Sequence, residues 1–429
     1  MTEERKSQST GINRDESATK KETTMRRRHL LAGTAAAAVL GSRRARAAAI
    51  SDNVVKIGVL DDMSGVFADQ QGMGDYVAAR MAAEDFGGHV LGQPIEVIQA
   101  DLQNKVDVGL SIARHWIDEE KVDAIFGLGN SAVALAVQDL CKQRQRIDVP
   151  IAAGTTDLTG SACSPYGIHW CYDNYSAAKG PATTLVKQGQ KKWFFITSDY
   201  AFGKSLEQNA TAILQGLGAT VLGHSMVPLG ETDYSAHLLA AASSGAEAVG
   251  IACGGADFIN VAKQMGEFGL IAKGVVPAAL NCSLTNIHSL GLPAAQGMIF
   301  SQPYYWDHDE PSRAFAARFA KAHKGQPPTA FQASTWGAVT HYLKAIQAGG
   351  TDEAGAVMEK MRAIPINDFM TKNGQLRIDG RVVRDMFLLR AKTPSESKSE
   401  WDILEVAEVI SGADAFRPLK DGGCPLVKA

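Results

Sequence analysis

Two short segments carry hydroxyl groups where a small anion could be held. Ser131 follows Gly127-Leu128-Gly129-Asn130 at the start of a predicted helix, and Thr155-Thr156 follow Ala152-Ala153-Gly154 after a predicted strand. Hydroxyls combined with the unpaired N–H groups of a helix start suit a carboxylate. The plainer alternative is that Ser131 only caps its helix, and both roles are compatible. Nothing comparable exists for bond-making chemistry. The chain has no GxSxG, HExxH, Walker or GxGxxG spacing, and Asp199-Tyr200-Ala201-Phe202-Gly203 is not a phosphate loop. A secreted hydrolase would need a Ser or Cys beside a base in a cleft, and none is evident. Asp307-His308-Asp309 could ligate a metal, but a polar loop after Trp306 explains it more simply. No metal and no cofactor are expected.

The gross composition narrows the partners. Residues 1–49 hold 11 Lys/Arg and 5 Asp/Glu against 43 and 46 in the whole chain, which leaves residues 50–429 with a formal net charge of about −9. That excess of acid argues against nucleic acid as a partner. Arg26-Arg27-Arg28-His29-Leu30-Leu31, a small apolar run to Gly41 and then Ala47-Ala48-Ala49 read as an export signal. The paired arginines resemble the twin-arginine type, although His29 stands where that pattern prefers Phe. Residues 1–24 are polar and lack an apolar period. No later apolar run reaches 18 residues, so the mature form is expected not to span a membrane. Six cysteines in an exported chain allow 15 complete pairings. The pairing expected is Cys163–Cys424 with Cys253–Cys282, the alternative being two or more free, buried thiols.

The elements that must position these residues alternate. Val54–Leu60, Ile95–Gln99, Val122–Phe126 and Val149–Ala152 read as strands, with helices over Met73–Phe86, Asn104–Glu119 and Ser131–Lys142 between them. After Asp173 the pattern restarts with strands at Trp193–Thr197, Thr220–Gly223, Ala248–Ala252 and Gly274–Pro277. Helices return from Ser312 to Ile364, and the tail carries the strand Met386–Ala391 and the apolar stretch Ile403–Ile410. The alternation predicts parallel sheets with helices on both faces. Ligands in such sheets bind beyond the carboxyl ends of the strands, and two such ends facing each other make a cleft that can close.

Taken in order, several stretches resemble the branched-chain amino acid-binding type of periplasmic solute receptor, the ligand-capturing component of ABC importers. They are Lys56–Leu60 through Ser64-Gly65, Ile125–Ser131, Ala152–Thr156, Ser198–Gly203 and Asp233-Tyr234-Ser235. The resemblance implies an α/β fold of the two-lobed periplasmic binding protein type I, with three hinge crossovers near Asp173, Gln302 and Lys372. It divides the chain into a leader (1–49), lobe 1 (50–172 plus 303–371) and lobe 2 (173–302 plus 372–429). It also implies a small-molecule ligand, an inner-membrane ABC permease as partner, a periplasmic location and a monomer.

The same resemblance suggests the site. Ser131, Thr155 and Thr156 match the positions that hold an amino acid's carboxylate, and Asn130 beside them belongs to the candidate set. Phe202 stands where an aromatic from the second lobe is expected, with Tyr200 keeping a hydroxyl nearby, and a second aromatic position falls at about Gly254. The acid that pairs with a ligand's ammonium would fall near Pro277 or Ala278, where none exists. Asp257 is a candidate substitute, or else it caps a helix beginning at Phe258. Ser64, Tyr172, Asn281 and Tyr305 complete the set, the two tyrosines either stacking on a planar ligand or sealing a hinge. A missing acid and a glycine in an aromatic position point first to a carboxylate-bearing aromatic or apolar ligand. An amino acid or amide comes second, and a periplasmic ligand sensor is a further alternative.

Overall fold

A computed structural model describes residues 50–428, so the export signal lies outside the described residues. Two parallel sheets dominate. The first contains β1 (Val55–Asp61), β2 (His89–Val90), β3 (Gln93–Asp101), β4 (Ala124–Gly127) and β5 (Ile147–Pro150), in the order β2-β3-β1-β4-β5. All its pairings are parallel except the β2–β3 hairpin. Helices α1 (Gly72–Asp85), α2 (Val106–Asp118) and α3 (Ser131–Arg144) connect these strands. After α4 (Asn174–Lys187) the second sheet forms from β6 (Lys192–Ser198), β7 (Thr220–Val227), β8 (Ala248–Ala252) and β9 (Val276–Ala278). Its order is β7-β6-β8-β9, parallel throughout. Its helices are α5 (Ala201–Gly216), α6 (Ser235–Ser244) and α7 (Gly255–Glu267).

The remaining elements are α8 (Leu284–Leu290), α9 (Leu292–Ala295), β10 (Ile299–Gln302), α10 (Glu310–Ala322), α11 (Ala330–Gly349) and α12 (Ala354–Ala363). The tail carries β11 (Gln375–Leu376), β12 (Val382–Val383), β13 (Met386–Ala391), β14 (Leu404–Ile410) and α13 (Gly412–Ala415). Strands β10, β13 and β14 make an antiparallel sheet, and β11 pairs with β12.

Side chains alternate between the faces of each sheet, as the period of two requires. Val55, Ile57, Val59, Phe126 and Val149 enter one core with Phe331, Val339, Tyr342 and Val357 of α11 and α12. Leu60, Ile125, Trp116, Val133 and Val137 fill the other face. In the second sheet Phe194, Ile196, Val249 and Ile251 pack with Phe258 and Val261 of α7, while Trp193, Phe195 and Ala252 pack with Leu206 and Leu214 of α5. Gly58 in β1 is required by volume, because a Cβ there would lie 2.5 Å from the Trp116 ring. The tail divides between cores: Val382, Met386 and Phe416 pack on the first sheet's side, Leu389 and Leu404 on the second's.

Cys163 and Cys424 are disulfide-bonded. The second expected pair is not formed: Cys253 and Cys282 are free and buried, as are Cys141 and Cys171. Each of the former two thiols turns toward a carbonyl, Cys253 Sγ to Ile196 and Cys282 Sγ to Ser283, both at 3.6 Å, inside one apolar core. Helix α4 escaped the sequence reading because Gly180-Pro181 interrupts its pattern. Gly180 is there so that Ser301 can pack against the helix, with a Cβ position 2.3 Å from its hydroxyl.

Candidate ligand-binding site

Strand order reverses between β3 and β4 around β1, and between β7 and β8 around β6. The loops leaving those carboxyl ends are where an open α/β sheet binds ligands. From β1, the Asp62 carboxylate accepts N–H bonds from Gly65 (2.6 Å) and Phe67 (2.9 Å) and the Asn104 side-chain amide (2.6 Å), folding a turn that aims Phe67 inward. Ser64 lies on the outer side of this turn, exposed, with its hydroxyl donated to Asp101 at 2.6 Å.

From β4, Asn130 is the cap of α3: its Oδ1 accepts the N–H groups of Ala132 (3.0 Å) and Val133 (3.2 Å). The helix-cap role considered for Ser131 therefore belongs to Asn130. The buried Ser131 hydroxyl instead accepts from Gly154 N (3.2 Å) and Thr155 N (3.3 Å), joining the β4 and β5 loops. With its lone pairs so occupied, its proton is the group left to donate. Thr155 Oγ1 accepts from Asp157 N at 3.4 Å. Thr156 reaches across to α5: its N–H donates to Ser205 Oγ (3.2 Å), and its Oγ1 accepts from Asn209 Nδ2 (3.1 Å).

The second sheet meets these loops closely. Phe202, at the start of α5, has its carbonyl bonded by Asn174 Nδ2 at 2.9 Å, and a Cβ on Gly154 would stand 2.9 Å from its ring. Tyr200 stacks on Phe202 with ring centroids 6.0 Å apart. Desolvation, then the neighbouring Tyr172, Asp257, Cys253 and Asp62, holds the Tyr200 phenol well above its usual range, so it stays a donor. Gly254 faces Asn281 Nδ2, Phe67 and Phe202, at 3.1, 3.4 and 3.8 Å from its would-be Cβ. The next residues close the contact: Ala256 N donates to the Val66 carbonyl at 3.0 Å.

Asp257 does not cap a helix at Phe258. Helix α7 already begins at Gly255, and Asp257 lies in its first turn with Oδ2 accepting Gly230 N at 3.0 Å. Its Oδ1 is buried without a partner, and burial pushes the carboxyl up to about 6. Asn281 is buried, with its Oδ1 also unpartnered. Tyr172 donates to the Ala152 carbonyl at 2.9 Å and packs on Phe331, which is structural work. Tyr305 is buried in the second-sheet core beside Trp306.

Phe67 and Gln71 were missed in the sequence. Gln71 precedes α1 almost fully buried, with neither side-chain atom hydrogen-bonded, and lies against Gly129 so closely that a Cβ there would sit 2.1 Å away. The run Ser64–Gln71 has no periodicity, so only its contacts reveal it. Asp307 pairs with Arg313 and Asp309 caps α10 through Ser312 N, while the His308 ring packs on Phe387.

This geometry, with strand-end loops of two parallel sheets meeting around buried polar atoms and paired rings, defines a solute receptor. The pattern shared by the periplasmic binding protein family matches residues 54–398, and the chain belongs to that family, of the Leu/Ile/Val-binding-like type. A periplasmic binding protein from Burkholderia mallei is 42% identical with a TM-score of 0.86, covering 88% of this chain and 100% of that one. A branched chain amino acid ABC transporter periplasmic ligand-binding protein from Burkholderia xenovorans is 38% identical (TM-score 0.77), covering 87% and 99%. The Leu/Ile/Val-binding protein homolog 6 of Brucella melitensis is 25% identical over 348 residues, 78% of this chain and 86% of the relative. The protein is thus a non-catalytic, periplasmic solute-binding component of an ABC importer. Among the described residues no helix is long and apolar enough to cross a membrane.

Proposed function

We propose that the protein captures an α-amino acid, or a closely related amide, between two lobes and presents it to an inner-membrane permease. One lobe forms around β1–β5 with α10–α12, the other around β6–β10 with β13 and β14, and the loops described above face each other across the cleft. Three connections serve as hinges, near Asp173, Gln302 and Lys372. The ligand carboxylate takes the Ser131 proton beside Asn130, Thr155 and Thr156. Its side chain lies against Phe67, Phe202 and the space left by Gly254, with Tyr200 and Asn281 at the edges. Tyr172, Tyr305 and Ser64 support rather than touch it. The export signal at Arg26–Ala49 delivers the chain by the twin-arginine route, and it acts as a monomer.

The observation that carries the choice of ligand is Asp257. A buried carboxylate with one oxygen unpartnered is costly unless a cation or donor completes it. An ammonium group would do so, with Asp257 standing in for the acid absent near Ala278. Similarity to the branched chain amino acid ligand-binding protein of Burkholderia xenovorans supports the same choice. A second reading, an aromatic acid lacking an amine, is favoured by the pair of rings facing Gly254. Native mass spectrometry of gently purified protein, followed by calorimetric titration with L-leucine and with benzoate, decides between them. Micromolar or tighter binding of the amino acid, weakened by Asp257→Asn, is expected. Tight benzoate binding indifferent to that substitution would sink the amino-acid reading.

A further inference from the structure

Beneath the anion-holding loop lies a pair of acids that ligand contact does not explain. Asp61 ends β1 and Asp75 sits in the first turn of α1; both are fully buried. Asp61 Oδ1 accepts Asp62 N at 2.9 Å and Gly129 N at 3.2 Å, so this carboxyl grips the turn that leads to Asn130 and Ser131. Gly127, at φ +93°, permits the approach, since a Cβ there would stand 3.0 Å from Asp61 Oδ2. The Asp75 carboxyl faces Asp61 and the Thr335 hydroxyl. Thr335 has given its proton to the Phe331 carbonyl at 3.2 Å. Neither oxygen of Asp75, nor Oδ2 of Asp61, has any donor. Ionised carboxylates only accept hydrogen bonds, so two of them in contact satisfy each other only if a proton lies between them.

We propose that Asp61 and Asp75 act as one proton-sharing unit that holds the Gly129–Ser131 turn in binding register and couples ligand capture to proton uptake. Both are positioning residues, acting through Gly129 N–H. The proposal rests on the ligand carboxylate lying at Ser131. Burial, with the Asp75 charge adding to it, lifts Asp61 well above the usual carboxylate range, and burial lifts Asp75 to about 7. The titratable neighbours are Asp62, which follows β1, Asp101, which ends β3 opposite Asp61, and the buried Cys171 thiol, which feels the Asp75 charge. As pH rises through neutrality, negative charge accumulates under the turn. That charge opposes an incoming carboxylate at the turn that Asp61 holds through Gly129 N–H.

The test follows the Gly129 amide by NMR in the ¹⁵N-labelled mature protein between pH 5 and 9. The wild-type resonance is expected to titrate near pH 7, and to be flat in Asp75→Asn. Asp61→Asn is a second variant that keeps an acceptor for Gly129 and offers Asp75 a donor, and it too should be flat. Asp123→Asn, which removes another buried acid lifted to about 7 but lying beside Lys56 on the first sheet, should titrate as wild type. A flat wild type, or an unchanged titration in both dyad variants, would overturn the proposal. Calorimetry with L-leucine should show affinity falling about fivefold or more from pH 6.5 to 8.5, and not in Asp75→Asn. Failure of L-leucine to bind at any pH would count against the ligand assignment, while the amide titration still decides the dyad.

Discussion

On the proposed two-lobed reading, the substitution Gly255→Ala separates closure over the ligand from folding of each lobe. Gly255 has φ +59°, and an added Cβ would lie 2.1 Å from the Val66 carbonyl oxygen and 2.8 Å from the Phe67 ring. A non-glycine residue in that conformation costs about 1 kcal/mol wherever the loop sits. The overlap with Val66 exists only while α7 touches the β1 loop, and relieving it breaks the Ala256 N–H bond to the same carbonyl (3.0 Å). That bond contributes roughly 0.5–1.5 kcal/mol. The closed state therefore loses about 1.5–2.5 kcal/mol in all, and the fold alone about 1. The backbone cost is common to both states, so affinity reports only the part specific to closure, and at about 1.4 kcal/mol per factor of ten it should fall roughly 2- to 10-fold. The Tm of the ligand-free protein should drop by only a few degrees. Calorimetry for affinity, scanning fluorimetry for Tm and small-angle scattering with and without ligand read the two effects separately. Wild-type affinity in a Gly255→Ala protein would refute the claim that α7 and the β1 loop must meet to hold the ligand.

Three further outcomes follow from the same geometry. Asp257→Asn should weaken an ammonium-bearing ligand roughly 10- to 100-fold by calorimetry. In the Asp75→Asn protein, where the dependence arising from the Asp61–Asp75 pair is removed, affinity for that ligand should hold above about pH 7 and fall as the Asp257 carboxyl, lifted by burial to about 6, protonates; an unchanged profile down to pH 5 would exclude Asp257 as partner. Replacing Cys163 and Cys424 by serine frees a loop with a sequence separation of 261 residues, for which chain entropy gives an upper figure of roughly 5.5 kcal/mol, and urea unfolding should register a loss of about 2–5 kcal/mol. His341, buried with Nε2 against the Met361 carbonyl, has its pKa lowered by desolvation to about 4. The unfolded chain takes up that proton first, so the His341 contribution is complete above pH 6.5 and is lost as pH falls toward 4, by roughly 3 kcal/mol in all. His341→Gln should flatten that part of the stability profile measured by denaturant titration.

Much of the architecture could be read from periodicity alone. The β-branched run Val54–Leu60 became β1, buried along nearly its whole length, because a strand flanked on both sides by parallel neighbours needs apolar groups on both faces. Ser131 was recognisable as a strand-end hydroxyl before a helix, yet its neighbour Asn130 does the capping, a choice made by loop geometry rather than composition. The Cys163–Cys424 bridge joins residues that only the folded tail brings together. Cys253 and Cys282 were equally plausible as letters, and packing turned their thiols toward separate carbonyls.

What the sequence determined by itself was local and repetitive: which segments are strands, which are helices, and that they alternate. Those properties follow from side-chain pattern within ten or fifteen residues. Tertiary structure decided the site. Phe67, Gln71 and Gly254 lie in aperiodic loops, and their meaning comes from neighbours distant in the sequence: Phe67 and Gly254 face each other, and Gln71 lies against Gly129. The Asp61–Asp75 pair reads in sequence as a strand-end acid and an ordinary helix acid. Only the packing of α1 and α11 against the end of β1, which buries both carboxyls and leaves three of their oxygens without a donor, brings out the pairing proposed above.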